Sequence, residues 1–197
     1  MTYELLTGLF AFAFVMSITP GPNNLMLLAS GANFGLRATV PHMAGVSIGF
    51  VLMTVIVGGG LVQLFDAFPA SYQVLKIVSL IYLAYLAWKI ANAAPPKPGA
   101  AAGTPITFLQ ACAFQWVNPK AWAMSLTAIS AYAPDQTLQS IGLVAVVFGL
   151  VNLPSVGVWV VLGLQLARVL TNPARLRAFN ITMAVLLLAS LYPVLFS

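Results

Sequence analysis

Long apolar stretches separated by short polar ones run along the whole chain. Six of them are apolar enough to lie in lipid, namely residues 5–36, 38–65, 72–91, 108–132, 136–167 and 178–197. Each reaches the length of about 20 residues that a helix needs to cross the hydrocarbon core of a bilayer. A helix satisfies its own backbone hydrogen bonds there. The pattern therefore predicts an all-α membrane protein with six transmembrane helices.

The composition supports lipid as the main solvent. Of the 197 residues, 61% are apolar and 6% are charged, whereas soluble domains carry roughly 25% charged residues. So few charges cannot cover a soluble domain of this size. We therefore expect residues 1–197 to form a single integral membrane domain. The net charge of +5 does not indicate a nucleic-acid partner, because the basic residues are scattered between apolar spans.

The charged residues between the spans predict an orientation. A proline- and glycine-rich linker, 92–105, divides the chain into halves of approximately 1–95 and 105–197. Loops one, three and five carry most of the bases: Arg37, Lys89, Lys97, Arg168, Arg175 and Arg177. The opposite side carries three acids and one lysine: Glu4, Asp66, Asp135 and Lys76. The positive-inside rule then places the odd-numbered loops in the cytoplasm and both termini outside.

Five aromatic residues fall near the predicted span ends, where interfacial aromatic belts lie. They are Tyr72, Trp88, Tyr132, Trp159 and Tyr192.

The first span contains a segment that cannot continue a helix. Residues 17–24 read SITPGPNN, with Pro20, Gly21 and Pro22 in succession. The two prolines remove backbone donors and disrupt the helix. The freed backbone groups are tolerated only where they face protein or a water-lined cavity. Pro22 suits the first position of a new half-helix.

The fourth span carries a second break. Residues 115–122 read QWVNPKAW, in which Asn118 is a good N-cap and Pro119 suits the first helical position. Both breaks lie in the first span of a half, and Pro41 and Pro154 lie in the second. Halves of three spans each must have opposite topology, so we expect a 3+3 inverted repeat. Broken helices at matching positions of such repeats indicate a transport site.

The breaks offer groups that bind a zwitterion. Half-helix N-termini present unpaired N–H groups to a carboxylate, and freed carbonyls can accept from an ammonium. An α-amino acid carries both charges. The candidate substrate-binding residues are Thr19, Pro20, Gly21, Pro22, Asn23, Asn24, Gln115, Asn118, Pro119 and Lys120. The alternative is that these prolines only kink helices for packing.

Two ionisable residues inside the spans have two interpretations each. Lys120 either snorkels to an interface or lines the pathway as an anion-attracting or proton-linked group. His42 lies close to Arg37 in sequence, which favours an interfacial position; the alternative is proton coupling. Pro41, Gly45 and Gly49 form a small-residue stripe suited to close helix packing. We expect no metal site and no cofactor, and a packing role for the single cysteine, Cys112.

At these residues the chain resembles the LysE/RhtB family of amino-acid exporters. The resemblance covers essentially the whole chain and is carried by residues 19–24, 118–122 and the stripe of Pro41, Gly45 and Gly49. It implies a multi-pass exporter of the cell inner membrane, driven by an ion gradient, with protons expected. The predicted spans contain no acid to pair with a cationic side chain. We therefore expect a neutral substrate of the homoserine, threonine or leucine type.

Other classes remain as alternatives. A passive channel would share the composition but could not accumulate solute against a gradient. An intramembrane enzyme would need a nucleophile and base, for which Ser17, Thr19 and His42 are the candidates. The chain has no phosphate-binding loop of an ATP-driven pump. Besides the small-molecule substrate and the lipid bilayer, a second copy of the chain is a possible partner, because six spans make a small bundle.

Overall fold

The computed structural model describes residues 2–61, 63, 67–68, 70–93, 104–190 and 192. Regular structure in these ranges is helical: α1 Tyr3–Ile18, α2 Pro22–Ile56, α3 Ala70–Ala91, α4 Phe108–Val117, α5 Pro119–Tyr132, α6 Leu138–Ala167 and α7 Pro173–Ala189. A π-helical turn, Val57–Leu61, extends α2. Asp66, Lys97, most of the linker and the side chain of Tyr72 lie outside the described residues.

The helices are interrupted at both predicted breaks. Thr19 is extended at φ −62° and ψ 139°, as expected of a residue before proline, and Pro22 opens α2. Asn118, before Pro119, is likewise extended at φ −90° and ψ 109°. It accepts a hydrogen bond from the backbone N–H of Lys120 at 3.1 Å and so caps α5. Local backbone restrictions are therefore sufficient to place both interruptions.

Helix α2 reverses direction at Gly35. This residue has φ 78°, a conformation open to glycine and costly for other residues. The hydroxyls of Ser30 and Thr39 lie 3.2 Å apart, whereas nine residues of straight helix would separate them by about 13 Å. The chain thus folds back on itself, with a first limb, Pro22–Phe34, and a second limb, 36–56. The predicted loop at Arg37 is in fact this one-residue turn at Gly35.

Glycines allow α2 to pack closely on two other helices. In the first limb, a Cβ added to Gly31 would collide with the backbone of Val160, and one added to Gly163 would collide with the backbone of Leu28 and Ala32. In the second limb, Gly45 lies against Phe108 and Ala111 of α4. These positions bring α2 into backbone contact with α6 and α4.

The small-residue stripe therefore has two members in the packing interface and one outside it. A Cβ added to Gly49 would lie 2.7 Å from the Cα of Cys112. Pro41, in contrast, is exposed. Gly45 faces Phe108, the first residue of α4. Pro41 precedes Gly45 by one helical turn and therefore lies beyond the N-terminal end of α4.

Buried apolar side chains form two cores. The first packs the first limb of α2 against α3, α4 and α7, and includes Met26, Leu27, Leu83, Phe114 and Leu187. The second packs α1, α5, α6 and the second limb, and includes Leu9, Phe50, Met53, Met124 and Phe148. Apolar residues of both cores line one small cavity: Val156 of the first, and Phe50 and Met124 of the second.

Three helices in the described ranges are long and apolar enough to cross a bilayer: Pro22–Leu61, Gln73–Ala91 and Leu138–Ala167. Helix α1 is apolar but has only 16 residues. Large apolar side chains also point outward, such as Ile81 at 66% exposure and Leu150 at 65%. An outer surface of this kind fits a lipid environment.

Two local predictions were wrong. The sixth span was expected from residue 178, but α7 begins at Pro173, where the Asn172 side chain caps it. Arg175 and Arg177 therefore lie within the helix, because positive charge does not stop a helix that proline and asparagine have started. Trp159 was expected in an aromatic belt, but its indole N–H donates to the carbonyl of Ile18 at 3.0 Å.

Candidate functional site

The two helix breaks meet through a pair of side-chain amides. Asn23 Nδ2 donates to Gln115 Oε1 at 2.9 Å, and Gln115 Nε2 donates back to Asn23 Oδ1 at 3.1 Å. The Gln115 amide also donates to the carbonyl of Ala111 at 2.9 Å. Asn23 follows the first break and Gln115 precedes the second, 92 positions apart in the chain. This reciprocal pair joins the two halves.

Lys120 links the second break to the first. Its ammonium Nζ donates to the carbonyl of Thr19 at 2.7 Å and approaches that of Pro20 at 3.5 Å. The stem of the lysine lies over Gly21, where an added Cβ would be 2.8 Å from its Cδ. No carboxylate of the described residues lies within ion-pair distance of the ammonium. The Lys120 ammonium is thus held by neutral carbonyl oxygens of the first break, and the choice between an interfacial and a pathway-lining role stays a prediction.

Four successive carbonyls at the end of α1, from Ser17 to Pro20, have donors. Asn24 Nδ2 donates to the carbonyls of Ser17 and Thr19, at 2.9 and 2.8 Å. The indole N–H of Trp159 donates to the carbonyl of Ile18, and the ammonium of Lys120 donates to the carbonyls of Thr19 and Pro20. In this conformation the protein's own donors occupy these four carbonyls, and their predicted role in binding a ligand's ammonium stays a prediction.

The N-terminus of α2 differs from that of α5. Gly21 at its N-cap has no side chain, and no side-chain hydrogen bond caps the first turn. The α5 N-terminus, in contrast, is capped by Asn118. Uncapped N–H groups and the positive end of the helix dipole favour an anion. This end of α2 lies next to the Lys120 side chain.

A small cavity lies between the breaks. The cavity volume is about 20 Å³. A water molecule fits in this space, but an amino acid does not. Its polar lining consists of Ser17, Asn23, Asn24, Gln115, Asn118, Lys120 and Asn152, and its apolar lining includes Met16, Phe50, Met124 and Val156. An amino acid therefore does not fit in the cavity as the structure shows it.

The structure divides the ten predicted residues into two groups. Six line the cavity: Gly21, Asn23, Asn24, Gln115, Asn118 and Lys120. The other four do not line it: Thr19, Pro20, Pro22 and Pro119. Their part is to set the backbone, since Pro22 and Pro119 open the half-helices and the carbonyls of Thr19 and Pro20 hold Lys120.

Sequence reasoning missed Asn152, which lies in the middle of α6 and lines the cavity. Its Nδ2 donates to the hydroxyl of Ser17 at 3.3 Å, and its Oδ1 accepts from the hydroxyl of Ser47 at 2.9 Å. The available signal was an asparagine inside an apolar run, since polar side chains in spans usually face the protein interior.

Sequence reasoning also missed a second reciprocal amide pair. Asn33 Nδ2 donates to Asn180 Oδ1 at 2.7 Å, and Asn180 Nδ2 donates back at 3.0 Å. Asn180 also donates to the carbonyl of Ala93 at 2.8 Å. This pair places the turn at Gly35, the end of α3 and the first half of α7 at the same end of the bundle.

His42 is not part of the cavity. It is fully buried, and neither ring nitrogen has a hydrogen-bond partner among the described residues. His42 is therefore packed inside the bundle, and its predicted interfacial depth stays a prediction. The absence of a partner also leaves the proposed pairing with Ser17 or Thr19 without geometric support. No group of three or more His, Cys, Asp or Glu side chains able to hold a metal occurs in the described ranges.

Comparison with known proteins agrees with this architecture. The family model described as LysE type translocator matches residues 14–190. The chain is 34% identical over 137 residues to the cysteine/O-acetylserine efflux protein of Escherichia coli strain K12, covering 70% of each chain. The protein of the same name from Shigella sonnei strain Ss046 matches to the same extent. No solved structure matches the chain significantly.

The family match includes both breaks, the cavity-lining residues and all helices from the end of α1 to α7. Its members are transporters and not enzymes. On this evidence the chain belongs to the LysE type translocator family of membrane transporters.

Proposed function

We propose that this protein exports a small neutral amino acid or amino-acid derivative across the cytoplasmic membrane, and that the substrate binds between the two helix breaks. The single observation that carries the proposal is the junction of the breaks. The Asn23–Gln115 pair closes a polar cavity that also contains the ammonium of Lys120.

The substrate's two charges have different binding groups. Its carboxylate pairs with Lys120 and with the uncapped N–H groups at the start of α2, which lie side by side. Its ammonium replaces the donors in the Asn23–Gln115 pair and binds their amide oxygens. Both steps require the cavity to expand, since its present volume excludes an amino acid.

A neutral side chain follows from the lining of the cavity. The lining contains no carboxylate, and an unpaired cationic side chain within the membrane would be costly. The relatives are named for efflux of cysteine and O-acetylserine, both small and polar. We extend this class to the present chain, together with homoserine- and threonine-like substrates.

The proposed topology has six crossings in two inverted halves of three. Pro22–Leu61 contains 40 residues, about 60 Å of helix and twice the thickness of the hydrocarbon core. Its reversal at Gly35 lets the two limbs cross separately. Helix α1 then joins the first limb as one broken span, and α4 joins α5 as another.

The orientation proposed from charge has support from the second amide pair. Because Asn33, Ala93 and Asn180 meet, loops one and three and the start of α7 share one end. Most basic residues are near this end in sequence, so we assign it to the cytoplasm. Proton coupling through Lys120 or His42, and a homodimer, remain predictions.

A passive channel is the second candidate. The cavity counts against a permanently open pore, because its volume is near that of a water molecule. Everted membrane vesicles with an acidic interior distinguish the two functions. Export by proton exchange would accumulate labelled serine or O-acetylserine inside them, and a protonophore would release it. Equilibration without accumulation would indicate a channel, and chemical conversion of the substrate would indicate an enzyme; either would contradict the proposal.

A further inference from the structure

Three polar side chains from three helical segments form a chain beside the cavity. Ser47 donates to Asn152, and Asn152 donates to Ser17. The residues are only 5%, 5% and 4% exposed, respectively. Asn152 and Ser17 line the cavity, and Ser47 lies behind Asn152.

These groups have unused hydrogen-bonding capacity. An asparagine amide carries two N–H donors and a carbonyl with two acceptor positions. The recorded bonds of Asn152 use one donor and one acceptor. The hydroxyl oxygen of Ser17 accepts from Asn152, and no described residue accepts the hydroxyl hydrogen. A donor and an acceptor therefore remain beside the cavity, where burial makes an unmet hydrogen bond costly.

Ser17 connects this chain to the charged part of the site. Its carbonyl accepts from Asn24 of the first break, whereas its hydroxyl accepts from Asn152. A zwitterion held at Lys120 and Asn23 therefore has Ser17 and Asn152 as neighbouring polar groups. The remaining walls, Phe50, Met124 and Val156, are apolar. A polar atom on the substrate's side chain has hydrogen-bond partners at Asn152 and Ser17 and none at these walls.

We propose that Asn152, positioned by Ser47 and assisted by Ser17, is the specificity-determining residue for the substrate's side chain. It selects amino acids with a hydroxyl, thiol or ester oxygen close to Cβ over apolar ones of equal size. The inference rests on the proposed function, because it assigns a part of the same site. A site built to hydrogen-bond a polar group discriminates strongly against the analogue that lacks it.

Serine and 2-aminobutyrate test the proposal, since they differ by a hydroxyl in place of a methyl group. The wild-type protein in proteoliposomes should transport serine at least about tenfold faster than 2-aminobutyrate. Asn152→Leu should bring the ratio of the serine and 2-aminobutyrate transport rates close to one, because it slows serine transport and leaves 2-aminobutyrate transport unchanged. Ser47→Ala should lower the ratio about threefold, because it removes one of the hydrogen bonds that fix the amide.

The matched control is Ser155→Ala. Ser155 is also buried in α6, but its hydroxyl donates to the carbonyl of Val151 in its own helix. This variant should keep the wild-type ratio. If Asn152→Leu yields no folded protein by size-exclusion chromatography, Ser17→Ala and Ser47→Ala decide the question through the same ratio.

The outcomes separate this inference from the proposed function. A wild-type ratio near one, or an equal loss of both substrates in the Asn152 and Ser47 variants, would overturn the side-chain role and leave export intact. A wild-type protein that transports no amino acid would overturn both.

Discussion

At the scale of single residues, the end of α1 shows how a broken helix persists inside a membrane. Four successive carbonyls, from Ser17 to Pro20, accept hydrogen bonds from Asn24, Trp159 and Lys120. These donors replace the lost helical ones at the four carbonyls, which would otherwise be costly to bury in a membrane. Lys120 is one of these donors, so a small change in the backbone at the break should move its side chain.

Gly21→Ala tests the position of Lys120. The glycine has φ −174°, which any residue adopts, so the backbone tolerates alanine. The new Cβ would lie 2.8 Å from Lys120 Cδ and push the stem away. Losing a hydrogen bond from a charged group costs about 1.5–3 kcal/mol, so transport should fall roughly tenfold or more. Transport assays with equal amounts of folded protein measure this; unchanged transport would contradict the assigned role of Lys120.

Only some residues of the candidate site could be predicted from the sequence. Prolines, glycine and asparagines marked the breaks because their effect on the backbone is local. Asn152 was missed because a lone asparagine in an apolar run does not reveal its partners, and Ser17 lies 135 positions away from it.

At the scale of elements, close packing of α2 on α6 holds the bundle around the site. Gly31 and Gly163 each face backbone atoms of the opposite helix. The two breaks, and the starts of α2 and α5, were predictable from proline. The reversal at Gly35 was not, because a single glycine in an apolar stretch is also compatible with a continuous helix.

Gly163→Ala and Gly142→Ala test this contact within one helix. The Gly163 Cβ would collide with the backbone of Leu28 and Ala32, whereas Gly142 has open space around its Cβ. Overpacking should lower the free energy of unfolding by about 1–3 kcal/mol for Gly163→Ala. Gly142→Ala should change it little or raise it by up to about 1 kcal/mol, through helix propensity. Equal stability of the two variants in detergent would contradict the packing described.

At the scale of the whole molecule, two amide pairs hold the halves together at different depths. Asn23–Gln115 lies at the breaks, and Asn33–Asn180 lies near the turn at Gly35. Each pair takes one residue from each half. The proposed binding of a solute larger than the cavity would require the halves to separate at Asn23–Gln115 while Asn33–Asn180 stays closed. These pairings span 92 and 147 positions, so one sequence could not reveal them.

In the proposed function, residues at both breaks bind one zwitterion, and Lys120 binds its carboxylate. Equilibrium binding of serine and serinamide to the purified protein tests it most directly, because serinamide keeps the ammonium and lacks the carboxylate. Lys89→Met is the control, since Lys89 is also held by neutral oxygens, at Pro105 and Gln110, but lies outside the cavity.

Wild type and Lys89→Met should bind serine roughly 10- to 100-fold more tightly than serinamide, the range expected for a hydrogen-bonded charge pair. Lys120→Met should bind the two compounds almost equally. Retention of the full preference for serine in folded Lys120→Met would contradict the account.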